Sequence, residues 1–370
     1  MILAYTKNRL DGIMVSGKVQ TVLGDINPSS LGITLFHEHL LSLFFAPPVE
    51  QDSSNNIKLG NQSNVPQDPK ANQPITLENA GWIRRYGSIH PDNFGLQDEA
   101  ILVDEVRLFK NSGGGTIVDA TLPVMGRDPA GLARISKATG VHVLAGCGHY
   151  VSDYHPIDMD NKSEEYLINE IIQDVTKGCQ NTKIKAGIIG EIGCSSPITK
   201  NEQKSLSAAS KAQILTGAPL LIHSGRSVNA PFEAMKIVIE AGGDPQRTII
   251  SHIDRTLFDQ QSMVQLAELG CYLGFDLFGH EISYYRPSPI DMPNDAKRID
   301  HIQGLISNGY LDKLLISHDI GHNIKLTKFG GYGYSHIIEN VMPIMKRKGM
   351  TQKQIMSIVV DNTARILTMV

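Results

Sequence analysis

An α/β fold built as a (β/α)8 barrel is what this chain predicts, with a short N-terminal β hairpin and a polar loop inserted after the first strand. Three observations carry that reading. Eight short apolar runs alternate with eight stretches of helical spacing between about residues 32 and 348. The runs are apolar on both faces and often preceded by Gly or Pro, as strands of a parallel sheet covered on both sides are. They also end on histidines and carboxylates, at the strand ends where a barrel gathers its active site. A doubly wound open sheet is the alternative, but no G-x-G-x-x-G follows the first strand.

Taken in order, residues 13–24 read as the hairpin, turning at Gly17-Lys18 and plugging or flanking the larger body. The first strand, 32–36, runs into His37-Glu38-His39. Residues 50–75 are dominated by Gln, Asn, Ser, Pro and Lys and keep no hydrophobic period, which predicts a flexible insertion ahead of a functional lid. Order returns at Thr76–Trp82, and apolar residues at helical spacing follow over 97–111. Strand–helix pairs then repeat: 113–120 with about 128–139, 141–146 with about 163–178, 186–191 with about 200–216, and 218–223 with about 230–242. The last three are 248–252 with about 258–269, 270–276 with about 294–308, and 314–319 with about 336–348. Thr351–Met369 adds one or two closing helices, so 1–370 reads as one domain.

Composition removes several function classes. The 370 residues are 41% hydrophobic and 19% charged with a net charge of −4, which leaves no basic footprint for nucleic acid or an acidic membrane surface. Cys147, Cys179, Cys194 and Cys271 lack C-x-x-C spacing and predict reduced thiols; beside 13 histidines they tilt any metal site towards N and O ligands. No apolar run reaches the roughly 20 residues of a membrane-spanning helix. Lys7, Arg9 and Asp11 interrupt the N-terminus before a signal-peptide core develops. A cytoplasmic protein without nucleic-acid or membrane partners is expected, with a homodimer left open.

The strand ends carry the chemistry. His37 and His39, at i and i+2, face the same side of an extended backbone and can grip one metal ion. Chance alone supplies roughly half of one such pair in a chain of this composition, so the other strands decide. Strand four ends in Glu191, strand five in His223, strand six in His252 and strand eight in Asp319. One buried histidine is ordinary packing, whereas six ligand-type residues at five strand ends would each be a buried polar group without a partner. They suffice for two divalent cations, zinc the expected identity, with Glu191 spanning both. His37 and His39 would hold the more buried ion, with Glu191 and Asp319 completing its shell. A water shared by two ions becomes a hydroxide near neutral pH. Asp319 would bind one ion, accept the hydroxide's proton and pass it to the leaving group. Glu38 points the other way and is not a ligand.

These residues resemble the ligand set of the amidohydrolase superfamily, and longer stretches are similar to its phosphotriesterase family, in particular the phosphotriesterase-related branch of animals. The matching stretches are FHEHL (36–40), GGGTIVDAT (113–121), AGIIGEIGCS (186–195), SHIDRTLFD (251–259), DLFG (276–279), DMPND (291–295) and GGYGYSHI (330–337). In true phosphotriesterases a carbamylated lysine bridges at strand four; Glu191 stands in that place, as in the related branch. Both groups offer one negative charge and two oxygens. Lys185, at the strand's start, is expected to be solvated.

The resemblance implies hydrolysis of a small N-acyl amide, N-acetyltaurine or an N-acetyl amino acid. Lactonase, carboxylesterase or phosphotriesterase-type ester hydrolysis is the alternative, and a catalytically silent metal-binding scaffold is the alternative of another class. A small anionic or polar substrate suits two cations facing two carboxylates. Arg226, three residues after His223, is a candidate to hold its acid group through two parallel hydrogen bonds. Tyr150 and Tyr285, or its neighbour Tyr284, are candidates to line the pocket; Arg127, Asp276 and Glu281 are weaker, Asp276 reading as a loop anchor. Departures from the branch's pattern at Ser224, Ser196, Gly274-Phe275, His149 and Gly321-His322-Asn323 bear on substrate preference and spare the ligands.

Overall fold

The computed structural model describes residues 17–43, 73–86, 90–283, 285, 288 and 290–370. Residues 1–16, most of the expected insertion (50–72) and Tyr284 lie outside the described residues. The hairpin is present as β1 (Val19–Thr21) and β2 (Gly24–Ile26), paired antiparallel. Its turn falls at Val22-Leu23 and not at Gly17-Lys18. The Thr21 hydroxyl accepts from the Leu23 N–H at 3.2 Å and donates to the Gly24 carbonyl at 2.6 Å. Gly24 takes the positive φ, +112°, that this tight return requires. Gly17 and Lys18 are taken up by the chain's other end: the Met369 N–H donates to the Lys18 carbonyl at 2.9 Å. The hairpin plugs the barrel floor, where the Gln20 amide donates to the carbonyls of Val175 (2.8 Å) and Ala186 (2.6 Å).

The barrel opens with β3 (Ile33–Glu38). A two-residue antiparallel pair that the sequence does not announce follows, β4 (Ser42–Leu43) with β5 (Gly95–Leu96). The other barrel strands are β6 (Gly114–Asp119), β7 (His142–Cys147), β8 (Ile188–Gly193), β9 (Leu220–His223), β10 (Thr248–Ser251), β11 (Tyr272–Phe275) and β12 (Leu314–Ile316). All are parallel to their neighbours, in the order β12-β11-β10-β9-β8-β7-β6-β3. Chain order and spatial order agree, as right-handed βα units around a closing sheet require.

Helices lie between these strands: α1 (Leu77–Tyr86), α2 (Glu99–Asn111), α3 (Pro129–Thr139), α4 (Glu164–Thr176), α5 (Lys200–Thr216), α6 (Ala230–Glu240), α7 (Gln260–Glu268) and α8 (Asp295–Ser307). Side chains of Asp98, Asp128, Ser163, Thr199, Asp259 and Asn294 accept first-turn N–H groups and so fix six of the starts. The expected helix over about 336–348 begins with a π-wound turn, Ile337–Val341, before α9 (Met342–Arg347). Among the described residues, no helix is long and apolar enough to cross a membrane.

Closure between the first and last barrel strands rests on polar groups. The Asp319 N–H donates to the His37 carbonyl and the His37 N–H to the Ser317 hydroxyl, both at 3.2 Å. Glu38, turned away from its two histidine neighbours as alternation predicts, accepts from the Ser317 hydroxyl (2.6 Å), the His318 N–H (2.8 Å) and ring (2.7 Å), and the Ile320 N–H (2.9 Å). Replacing it strands several buried donors at about 1–3 kcal/mol each. Glu38→Ala should therefore lower the urea midpoint by an amount worth at least about 3 kcal/mol; a shift below ~1 kcal/mol would show that closure does not depend on it.

Candidate metal centre

Five strands deliver the six sequence-predicted ligands to one point. His37 sits in β3 with His39 one residue past its end, Glu191 in β8, and His223 at the last position of β9. His252 directly follows β10, and Asp319 lies three residues past β12. Two groups form around the Glu191 carboxylate. On one side, His39 Nε2 is 3.3 Å from Glu191 Oε1 and 3.2 Å from Asp319 Oδ1, and His37 Nε2 is 3.5 Å from Glu191 Oε2. On the other, Glu191 Oε2 is 2.7 Å from His223 Nδ1, which lies 2.9 Å from His252 Nε2. His37–His39–Glu191 and Glu191–His223–His252 are each close enough to share an ion.

A residue ranked low from sequence organises the centre. Asp276, directly after β11, takes the Nδ1–H of His37 on one oxygen and that of His252 on the other, both at 2.8 Å. Each ring therefore turns its Nε2 inwards, and His37 Nε2 is buried with no hydrogen-bond partner among the described residues. Lone pairs converging on carboxylate oxygens repel unless positive charge sits between them. Metal-ligating histidines are held by such carboxylates, so the donor set fits divalent cations. Asp276 orients both histidine rings; it is more than a loop anchor. Asp276→Asn keeps the shape but loses one acceptor, and should weaken zinc affinity roughly 10- to 100-fold in a chelator competition. Unchanged affinity would remove Asp276 from this role.

Electrostatics agree. Burial disfavours charge on His37, yet Glu191 and Asp276 hold its pKa well above the ordinary histidine value. Burial likewise opposes, and Asp319 and Glu191 outweigh it, for His39, raised to about 9. Burial would raise Glu191, but His37 and His223 keep it well below the usual carboxylate range. His223 goes the other way, lowered to about 3 by burial and by His252. The centre attracts positive charge at every position but one. His252 and Asp319 also adopt left-handed backbone, φ +61° and +51°, a strain of about 1–3 kcal/mol each that surrounding bonds must hold. The His252 N–H donates to Asp276 Oδ1 at 2.9 Å.

A cavity of about 380 Å³ opens above the cluster. Tyr150 borders it, its hydroxyl 3.3 Å from His223 Nδ1. Arg226 is exposed at the mouth, with Nε 3.4 Å from the Tyr285 hydroxyl. Arg127 is elsewhere, paired with Asp174 at 2.9 Å, and Glu281 accepts from the Asp295 N–H at 2.7 Å. Lys185 is half-buried before β8, at the far end from the cluster. Arg255 also lines the cavity. Sequence reasoning passed over it, although it follows His252 by the same three residues that separate Arg226 from His223.

Fold and site together define a metal-dependent hydrolase of the amidohydrolase superfamily. The Phosphotriesterase family profile matches residues 17–367, and the chain belongs to that family. It is similar to the N-acetyltaurine hydrolase of Bos taurus, 41% identical over 360 residues covering 96% of this chain and 99% of the relative. A resiniferatoxin-binding protein from Rhodobacter sphaeroides superposes with a TM-score of 0.88 at 33% identity, covering 95% of each chain. A PTE-like lactonase mutant from Deinococcus radiodurans gives a TM-score of 0.73 at 25% identity, covering 94% of this chain and 99% of that one.

Proposed function

We propose that the chain hydrolyses small N-acyl amides, N-acetyltaurine or N-acetyl amino acids, with two divalent cations, zinc first, held by His37, His39, Glu191, His223, His252 and Asp319. The observation that carries this reading is the Glu191 carboxylate, one oxygen 3.3 Å from His39 and the other 2.7 Å from His223. The bound ions would supply Lewis acidity, lowering the pKa of a water and polarising the acyl oxygen. The chain's own groups do the rest. Asp319, its side chain 25% exposed to the cavity, accepts the proton as the water's oxygen bonds to the acyl carbon. It returns that proton to the nitrogen as the C–N bond breaks, so a neutral amine leaves. Tyr150 and Tyr285 wall the acyl group, and Arg226 stands exposed at the mouth. The amide reading draws on the N-acetyltaurine hydrolase relative. Ester hydrolysis is the second reading, favoured by the similarity to the lactonase.

Rates of zinc-reconstituted protein on N-acetyltaurine, N-acetylmethionine and a lactone panel at equal concentration decide between them. Faster turnover of the amides supports the proposal; a preferred lactone supports the second reading. Metal-loaded protein inert on all of them would point to a silent scaffold.

A further inference from the structure

Apart from Arg255, the buried arginines among the described residues are neutralised. Arg298 pairs with Asp254 at 2.7 Å and Asp295 at 3.0 Å, and Arg127 with Asp174 at 2.9 Å. Arg255 is different. Only 2% of it is exposed, and among the described residues no carboxylate lies within ion-pair distance. One edge of its guanidinium is anchored: Nη2 donates to the Ser224 carbonyl at 3.0 Å and lies 3.2 Å from His223 Nε2. Nη1 is buried and finds no hydrogen-bond partner among the described residues. The group lines the cavity above the metal centre. A buried guanidinium with neither counter-charge nor full hydrogen bonding is costly unless something arrives to complete it.

Among the described residues, its surroundings offer no carboxylate for that role. Tyr285 and Arg226 are its cavity neighbours, and although burial opposes it, Arg255 and Arg226 draw the Tyr285 phenol below its ordinary pKa. That wall is positive. Arg226, being exposed, pairs with an anion only under solvent screening. A charge-assisted bond to the desolvated Arg255 counts for far more.

We propose that Arg255, and not Arg226, is the anion receptor of this site, so that it selects substrates with a carboxylate or sulfonate on the amine half and rejects neutral amides. This rests on the amide hydrolysis proposed above. The backbone explains why two H-x-x-R spacings diverge: His252 is left-handed and a 3-10 turn over Ile253–Arg255 winds the second arginine into the barrel mouth.

Two readouts test it on zinc-loaded protein: calorimetric binding of propane-1-sulfonate, which cannot be hydrolysed, and the ratio of kcat/KM for N-acetyltaurine over neutral N-acetylethanolamine. Arg255→Gln should weaken sulfonate binding and lower the ratio by on the order of 10- to 100-fold. Arg255→Lys, which keeps the charge without the fork, should lose less on both and carries the test if the glutamine variant does not fold. Wild type that binds no sulfonate, equal losses on both amides, or the main loss in Arg226→Gln instead would each overturn the assignment. Wild type that binds sulfonate through Arg255 yet cleaves neither amide would uphold the receptor and refute the amide reaction.

Discussion

Replacing Asp319 by asparagine is expected to lower kcat by roughly 100- to 10,000-fold, the range over which a positioned acid–base group contributes. Burial would raise this carboxyl's pKa, but His39 and His37 hold it well below the usual range, so it is ionised and able to accept a proton at neutral pH. Asparagine preserves the size and can keep one oxygen near His39. It cannot take a proton. The loss should therefore fall on kcat, with the melting temperature shifted by no more than a few degrees, since asparagine, like aspartate, tolerates the left-handed backbone at this position. Stopped turnover with metal retained is the signature to look for in zinc analysis of the same sample. Activity within tenfold of wild type would assign proton transfer to another group.

Glu191→Gln should be comparably severe for a different reason. The substitution removes the one negative charge that both histidine groups share, at 3.3 Å from His39 and 2.7 Å from His223. Lost charge stabilisation of this kind costs on the order of 100- to 1,000-fold in rate, and here metal should leave with it. Retained zinc is what separates the two variants: Asp319→Asn keeps most of its metal, whereas Glu191→Gln does not. A Glu191→Gln protein that holds its full metal complement would show that the carboxylate is not the bridge.

Much of this centre was legible because buried parallel strands are nearly pure apolar runs, so a histidine or carboxylate at the end of one stands out. Glu191 and His252 were found that way. Asp276 carries the same mark, directly after Phe275, and only the missing third dimension hid that it serves His37 and His252 together. Arg255 was hidden by backbone geometry: nothing in H-x-x-R says which arginine turns inwards. The hairpin turn moved because Gly17 and Lys18 pack on the chain's C-terminal end, a contact between residues over 300 apart that no local pattern encodes. The pair β4–β5 has two-residue strands, too short to leave a period.

The central claim is a two-ion site organised on Glu191, and metal content tests it most directly. Protein stripped with chelator, reloaded with excess zinc and desalted should carry about two ions per chain by elemental mass spectrometry. Loss of both in Glu191→Gln would complete the prediction. One ion or none in the wild-type chain would contradict it.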